Sequence, residues 1–182
     1  MQDTPENATK VPSGMIPAWV GGVLQPVEKL AAHREGLRHR AVSVFVFAGE
    51  RLLIQQRAAG KYHTPGLWAN TCCTHPHWGE ADAACAARRL GEELGLGGVV
   101  LEAVGEVEYR AEVGGGMVEH EVVAMFRGDA AAEPALAPDP AEVQAVRWVT
   151  LEELAAEIAA APGRFTPWLR IYMAEHRGIF AG

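Results

Sequence analysis

Three consecutive glycines, Gly114-Gly115-Gly116, interrupt two runs of residues that favour extended backbone, Glu106 to Val113 and Met117 to Arg127. Glycine supplies the positive φ angles of a tight reversal, and the flanks carry β-branched and aromatic side chains, so the segment predicts a β-hairpin. The second strand then fixes where its side chains go. They alternate from face to face, which puts Glu119 and Glu121 on one side of the sheet and His120 on the other. Two like charges held as neighbours repel unless a cation sits between them or one binds a proton. A chain that builds such a pair into a strand is predicted to hold a metal ion there.

The rest of the pattern predicts an α+β class, a mixed sheet flanked by helices in an α/β sandwich. Ala41 to Phe47 and Arg51 to Gln56, joined by Ala48-Gly49-Glu50, read as another hairpin. Asp82 to Gly95 reads as a helix with Ala83, Ala86, Ala87, Leu90 and Leu94 facing inward and Gly95 at its end. Asp129 to Glu142, broken by Pro134, Pro138 and Pro140, reads as a loop. Val146 to Thr150 predicts a short strand, Leu151 to about Ala160 a helix, and Thr166-Pro167-Trp168 the capped start of a last helix. Residues 1–14 have no periodic apolar positions and are expected to form a flexible tail, leaving 15–182 as a single domain.

With 182 residues, 49% of them hydrophobic, the chain is long enough to bury a sizeable core. Its formal net charge of -7 argues against a general nucleic-acid binder, which needs clustered Lys and Arg. An anionic substrate would therefore need a local cationic pocket or bound metal. No apolar run approaches the roughly 20 residues that span a bilayer, so no membrane partner is expected. Met1 to Lys10 lacks the pattern of a signal peptide. Three cysteines, two of them adjacent, cannot form a paired disulfide framework, which predicts a reducing cytoplasm. Cys72 and Cys85 read as packing residues.

The thiol of Cys73 and the imidazole of His75 flank Thr74, and with the downstream carboxylates they read as a site. The Cys73-Thr74-His75 element, the helix end Arg88-Arg89-Leu90-Gly91-Glu92-Glu93-Leu94-Gly95, Tyr109, the Glu119-x-Glu121 pair and Phe165-Thr166-Pro167-Trp168 resemble type 1 isopentenyl diphosphate isomerases. That family is a branch of the Nudix superfamily, and the resemblance runs in order from about Lys29 to Trp168. The parent Nudix pattern is a Gly, five residues, a Glu, seven residues, then Arg-Glu, an apolar residue, any residue, Glu-Glu, any residue and Gly. Glu80, Arg88, Leu90, Glu92, Glu93 and Gly95 match it, whereas Thr74 replaces the first Gly and Arg89 replaces the Glu after Arg88. Hydrolases of the superfamily use the carboxylates of this box to hold metal and activate water. A guanidinium at Arg89 removes one of those ligands and fits an enzyme that keeps its diphosphate intact.

The resemblance implies a metal, Mn2+, Mg2+ or Zn2+, held by His33, His39, His75, Glu119 and Glu121. It implies Mg2+ bound with the substrate diphosphate through Glu93, and Lys29, Arg57, Lys61 and Arg89 as cationic contacts to that diphosphate. The implied reaction is the reversible 1,3-allylic shift between isopentenyl and dimethylallyl diphosphate. Cys73 and Glu121 would be the two acid/base groups, with either direction of transfer open, Tyr109 would bond Glu121, and Trp168 would face the carbocation. The segment bearing His33 and His39 is expected to be a flexible lid, and the protein a monomer or weak homo-oligomer. His63, His77, His120 and His176 receive no role. A Nudix hydrolase of nucleoside diphosphate derivatives would share the fold and the Glu92-Glu93 pair, but Arg89 and the cysteine element speak against it. A metal-binding module without activity would explain the His and Glu set but not the thiol and Tyr109.

Overall fold

The computed structural model describes residues 14–181, so the expected tail, Gly14 apart, lies outside the described residues. In chain order these residues form strands β1 (Met15–Val20) and β2 (Val23–Glu28), helix α1 (Lys29–Glu35), then strands β3 (His39–Ala48), β4 (Arg51–Arg57), β5 (Trp68–Ala69) and β6 (Cys72–Thr74). Helix α2 (Asp82–Leu94), strands β7 (Leu101–Gly114), β8 (Met117–Ala130) and β9 (Val143–Thr150) and helix α3 (Leu151–Ala160) follow. The C-terminal run is α4 (Pro167–Ile171), a π-helical turn (Tyr172–His176) and α5 (Arg177–Phe180). The class is α+β.

Strand β3 is the hub of the sheet. It runs parallel to β8 from His39 beside Glu121 to Ala48 beside Ala130, and antiparallel to β6 through Val42, Ser43 and Val44. The glycine hairpin forms as predicted, with β7 and β8 paired from Gly114 and Met117 back to Leu101 and Gly128 and all three glycines at positive φ. The other predicted hairpin does not run far. Strands β3 and β4 pair only at Phe47 with Leu52 and Ala48 with Arg51, because β6 takes the next stretch of that edge of β3 while β4 turns away to β5 and β9.

Alternation along these strands builds two cores on opposite faces. From β3, Val42, Val44 and Val46 pack with Leu53, Cys72, Cys85, Leu90 and Leu94 under α2. Ala41, Phe45 and Phe47 pack on the other face with Val123, Met125, Trp168 and Tyr172. Burial on both faces is why β3 reads as an almost unbroken apolar run. On the second face the C-terminal run closes over the sheet, with the Phe45 and Phe180 rings stacked at 4.0 Å.

Two expectations on α2 change. The buried side is Cys85, Ala86, Leu90, Glu93 and Leu94, whereas Ala83 and Ala87 are exposed. Alanine carries too little apolar surface to choose a face, and the larger Leu90 and Leu94 set the orientation. The helix does end at Gly95, at φ 64°, its N–H donating back to Gly91 and Leu90 carbonyls. A Cβ there would lie 2.8 Å from the Ala137 Cβ and 3.1 Å from its carbonyl oxygen. Gly95→Ala is therefore expected to destabilise the fold by about 2–4 kcal/mol, the sum of a left-handed alanine and an overpacked contact. Thermal denaturation measures it, and an unchanged midpoint would mean that the loop at Ala137 gives way freely.

Candidate active site

The face that carries Ala41, Phe45, Val123 and Met125 turns polar at one end of the sheet. Continuing the same alternation backwards gives His39 on β3 and Glu121 and Glu119 on β8, with His39 directly beside Glu121 in the parallel register. Glu119 and Glu121 are 2% and 6% exposed, while His120 between them points away, 3.4 Å from Glu108. His33 comes from the last turn of α1, a helix capped by the Glu28 side chain and ended by Gly36 at φ 62°. His75 follows β6 directly. One donor atom from each of His33, His39, His75, Glu119 and Glu121 can be chosen so that all five lie within 4.8 Å of one another. The segment predicted to be a lid is a helix and the start of the hub strand, with both imidazoles fully buried, and the five predicted ligands are packed into the fold.

The chemistry of these donors fits a cation. His33 Nδ1–H donates to the Lys29 carbonyl at 2.6 Å and His39 Nδ1–H to the Leu37 carbonyl at 2.7 Å, which turns each Nε2 inward. Those two Nε2 atoms and Glu119 Oε2 are buried without a hydrogen-bond partner. Orphaned buried polar atoms are costly, so a group that satisfies them all is expected between them. His75 Nε2 lies 2.8 Å from Glu121 Oε1. Burial holds the His75 imidazole well below its ordinary pKa, which keeps it neutral and able to bind a cation. Burial opposes a proton on His39 as well, yet the two carboxylates outweigh it and push that pKa up to about 10. The cluster therefore draws in positive charge, as a proton or as a metal.

Cys73, Tyr109 and Trp168 line the cavity beside this cluster, together with Arg57 and Arg89. Cys73 is opposite Ser43 across β3 and β6, on the face away from Cys72. Its S–H donates to Asn70 Oδ1 at 2.7 Å, and Asn70 is fixed in turn by donating to the Val44 and Cys72 carbonyls. Burial raises the thiol far above its ordinary pKa and the Ser43 hydroxyl only partly offsets this, so Cys73 keeps its proton. Tyr109 donates to Glu121 Oε2 at 2.5 Å. Burial, and then the charge of Glu119, raises the pKa of Glu121. Trp168 is placed by α4, whose Thr166 cap is tied to β5 through its N–H to the Trp68 carbonyl at 2.9 Å.

A NUDIX-domain model matches residues 37–169. The isopentenyl-diphosphate Delta-isomerase of Cereibacter sphaeroides is 65% identical over 162 residues, spanning 89% of this chain and 92% of that protein. The isopentenyl-diphosphate Delta-isomerase of Rhodobacter capsulatus is 62% identical over 165 residues, 91% of this chain and 94% of that one. The chain belongs to the isopentenyl-diphosphate Delta-isomerase family. A Nudix hydrolase from M. smegmatis shares 20% identity at a TM-score of 0.57 over 92% of this chain and 94% of its own, a likeness of fold alone.

In this family member the cations predicted to meet a diphosphate lie close together. Burial lowers the pKa of Lys29, and the nearby charges of Lys61, Arg89 and Arg57 lower it further. Arg89 lies 2.5 Å from Glu93 and 2.9 Å from Glu92, and Lys61 pairs with Glu142, which also lies 3.4 Å from Arg89. Glu93 does not join the five-donor cluster. It lies on the inner face of α2, 4% exposed, with Oε1 held by Arg89 and Oε2 by the Gln55 amide at 2.9 Å. Glu80 is held by Arg88 at 2.7 Å, a structural bond within the Nudix box.

Sequence reasoning missed the residues that act one bond removed. Ser43, Asn70 and Tyr172 surround the thiol, with the Ser43 and Tyr172 hydroxyls 3.0 Å apart. His63 bonds Glu119. Of the other tryptophans, Trp68 is buried and Trp148 half-buried, Trp19 is half-buried with the Arg38 guanidinium 4.1 Å from its ring, and Trp78 is exposed.

Proposed function

We infer that this chain catalyses the reversible conversion of isopentenyl to dimethylallyl diphosphate. The observation that carries this reading is a cavity lined by two groups able to exchange protons, the Cys73 thiol and the Glu121 carboxyl, together with an aromatic face, Trp168. Moving the double bond requires a proton added at the terminal methylene and another removed from the carbon on the far side of the branched centre. Between the two events the branched carbon bears a tertiary cation. One of Cys73 and Glu121 gives the first proton and the other takes the second; the reverse reaction exchanges their tasks. Tyr109 keeps Glu121 oriented, and Asn70 and Ser43 keep the thiol aimed. The enclosing side chains keep out water that would trap the cation as an alcohol.

A divalent metal, manganese, magnesium or zinc, held by His33, His39, His75, Glu119 and Glu121 would set the charge on Glu121 and so tune its proton affinity. Lys29, Arg57, Lys61 and Arg89 anchor the diphosphate. Magnesium carried with the diphosphate would meet Glu93 once Arg89 exchanges its carboxylate partner for phosphate oxygens. No helix of the described residues is long and apolar enough to cross a membrane. Cys73 must stay a free thiol, which the reducing cytoplasm maintains, and the products are the five-carbon units of isoprenoids. The site draws every named group from one chain, so a monomer suffices.

The direct assay mixes protein, Mg2+, Mn2+ and isopentenyl diphosphate and follows formation of the acid-labile allylic isomer together with free phosphate. Allylic product without phosphate supports the isomerase, whereas phosphate release would favour a Nudix hydrolase. Trp168 gives a graded test. Loss of the indole face removes about 2 kcal/mol of cation stabilisation, so Trp168→Leu is expected to lower kcat about 30-fold. Trp168→Phe retains a π face and is expected to retain more of the rate. Equal losses in the two variants would place Trp168 in packing alone.

A further inference from the structure

We propose that His63 is a positioning residue that aims Glu119 at the metal and ties that ligand to the diphosphate anchor Arg57. The proposal rests on the metal-dependent isomerase reading and deepens it. The two carboxylates of the cluster are held in matching ways. Glu121 points Oε1 at the cluster and receives the Tyr109 hydroxyl on Oε2. Glu119 points Oε2 at His33 and His39, 3.4 and 3.7 Å from their Nε2 atoms, and its Oε1 lies 3.0 Å from His63 Nε2. His63 thus does for Glu119 what Tyr109 does for Glu121.

The tautomer follows from Glu119: a carboxylate can only accept, so the ring's proton sits on Nε2 and is donated to it. Nδ1 is left to accept, with the Thr64 hydroxyl 3.1 Å and Arg57 Nη2 3.4 Å away, and Arg57 Nη2 also lies 3.2 Å from the His63 carbonyl. With Nε2 spent on Glu119, His63 serves the metal through that carboxylate and not as a ligand. Its ring is 5% exposed, stacked 5.7 Å from His33 and edge-on to Trp168 at 5.9 Å. The next residue, Thr64, stands at φ 46°, a conformation that a threonine rarely adopts and that helps turn the loop so His63 enters the cavity. Partners of this kind hold a ligand's free lone pair in the direction a metal needs and typically change its affinity 10- to 100-fold when removed.

Three variants separate this role from packing: His63→Ala, His63→Phe and His63→Gln. Metal-free protein is titrated with Mn2+ in competition with a fluorescent chelator, without substrate, and circular dichroism checks the fold. His63→Phe fills the space without a donor and is expected to weaken Mn2+ binding about 10- to 100-fold, as is His63→Ala. His63→Gln keeps an N–H for Glu119 and is expected to bind Mn2+ near the parent affinity. Unchanged Mn2+ affinity in His63→Phe, or equal weakness of the Gln and Phe variants, would overturn the proposal. Since the titration uses no substrate, its outcome is independent of whether the isomerase reading survives.

Discussion

Glu121→Gln lowers turnover by about 100- to 10,000-fold, and Cys73→Ala does the same, while both proteins keep their far-ultraviolet circular dichroism. The size of the effect follows from the reaction. Two protons move at two carbons of one small substrate, and neither group can serve both positions, so losing one leaves half of the reaction without an acid or base. Glutamine preserves the shape of Glu121 and can still accept from Tyr109, but it offers no titrating carboxyl. Cys73 is the cleaner variant of the two because it lies outside the five-donor cluster and its removal leaves the metal ligands in place. Alanine vacates only the sulfur, and Ser43, Asn70 and Tyr172 remain to hold the wall. Steady-state rates on purified variants decide the matter, and full activity in either one removes that residue from the chemistry.

Manganese at a hundred times its dissociation constant raises the unfolding free energy by about 2.7 kcal/mol, and a chelator removes the gain. For a chain of this length that is an increase of about 5–11 °C in the thermal midpoint. The cause is the orphaned state of His33 Nε2, His39 Nε2 and Glu119 Oε2, together with two carboxylates on one strand face that repel until a cation joins them. His33→Ala and Glu119→Gln are expected to abolish the metal-dependent shift. Differential scanning calorimetry with and without Mn2+ measures it, and a midpoint insensitive to Mn2+, Mg2+ and Zn2+ alike would contradict the metal-site reading.

The parts of this site that lie at fixed sequence spacings are legible in the sequence alone. A period of two along a strand gives Glu119 and Glu121 a shared face and sets Cys73 apart from Cys72, and both hold in the fold. Gly95 marks the end of α2 because only its positive φ closes the last turn. What the sequence does not declare depends on contacts across the fold. His63 meets Glu119 from a loop 56 positions earlier in the chain, and Ser43 reaches the thiol from the neighbouring strand β3. The β1–β2 hairpin carries a usable signal, Gly21-Gly22 between two six-residue runs, masked by Pro17 and Pro26, which oppose each other in its ladder. The inner face of α2 departs from expectation because a run of alanines does not declare a side.

The most direct test of the account is proton NMR of the purified protein with isopentenyl diphosphate, Mg2+ and Mn2+ in deuterated water, with phosphate followed alongside. Proton transfer by two separate groups that exchange with solvent predicts growth of the dimethylallyl methyl signals, deuterium in the product and no phosphate release, all lost in Cys73→Ala and Glu121→Gln. Unchanged alkene signals with phosphate released, or dimethylallyl product free of deuterium, would contradict it.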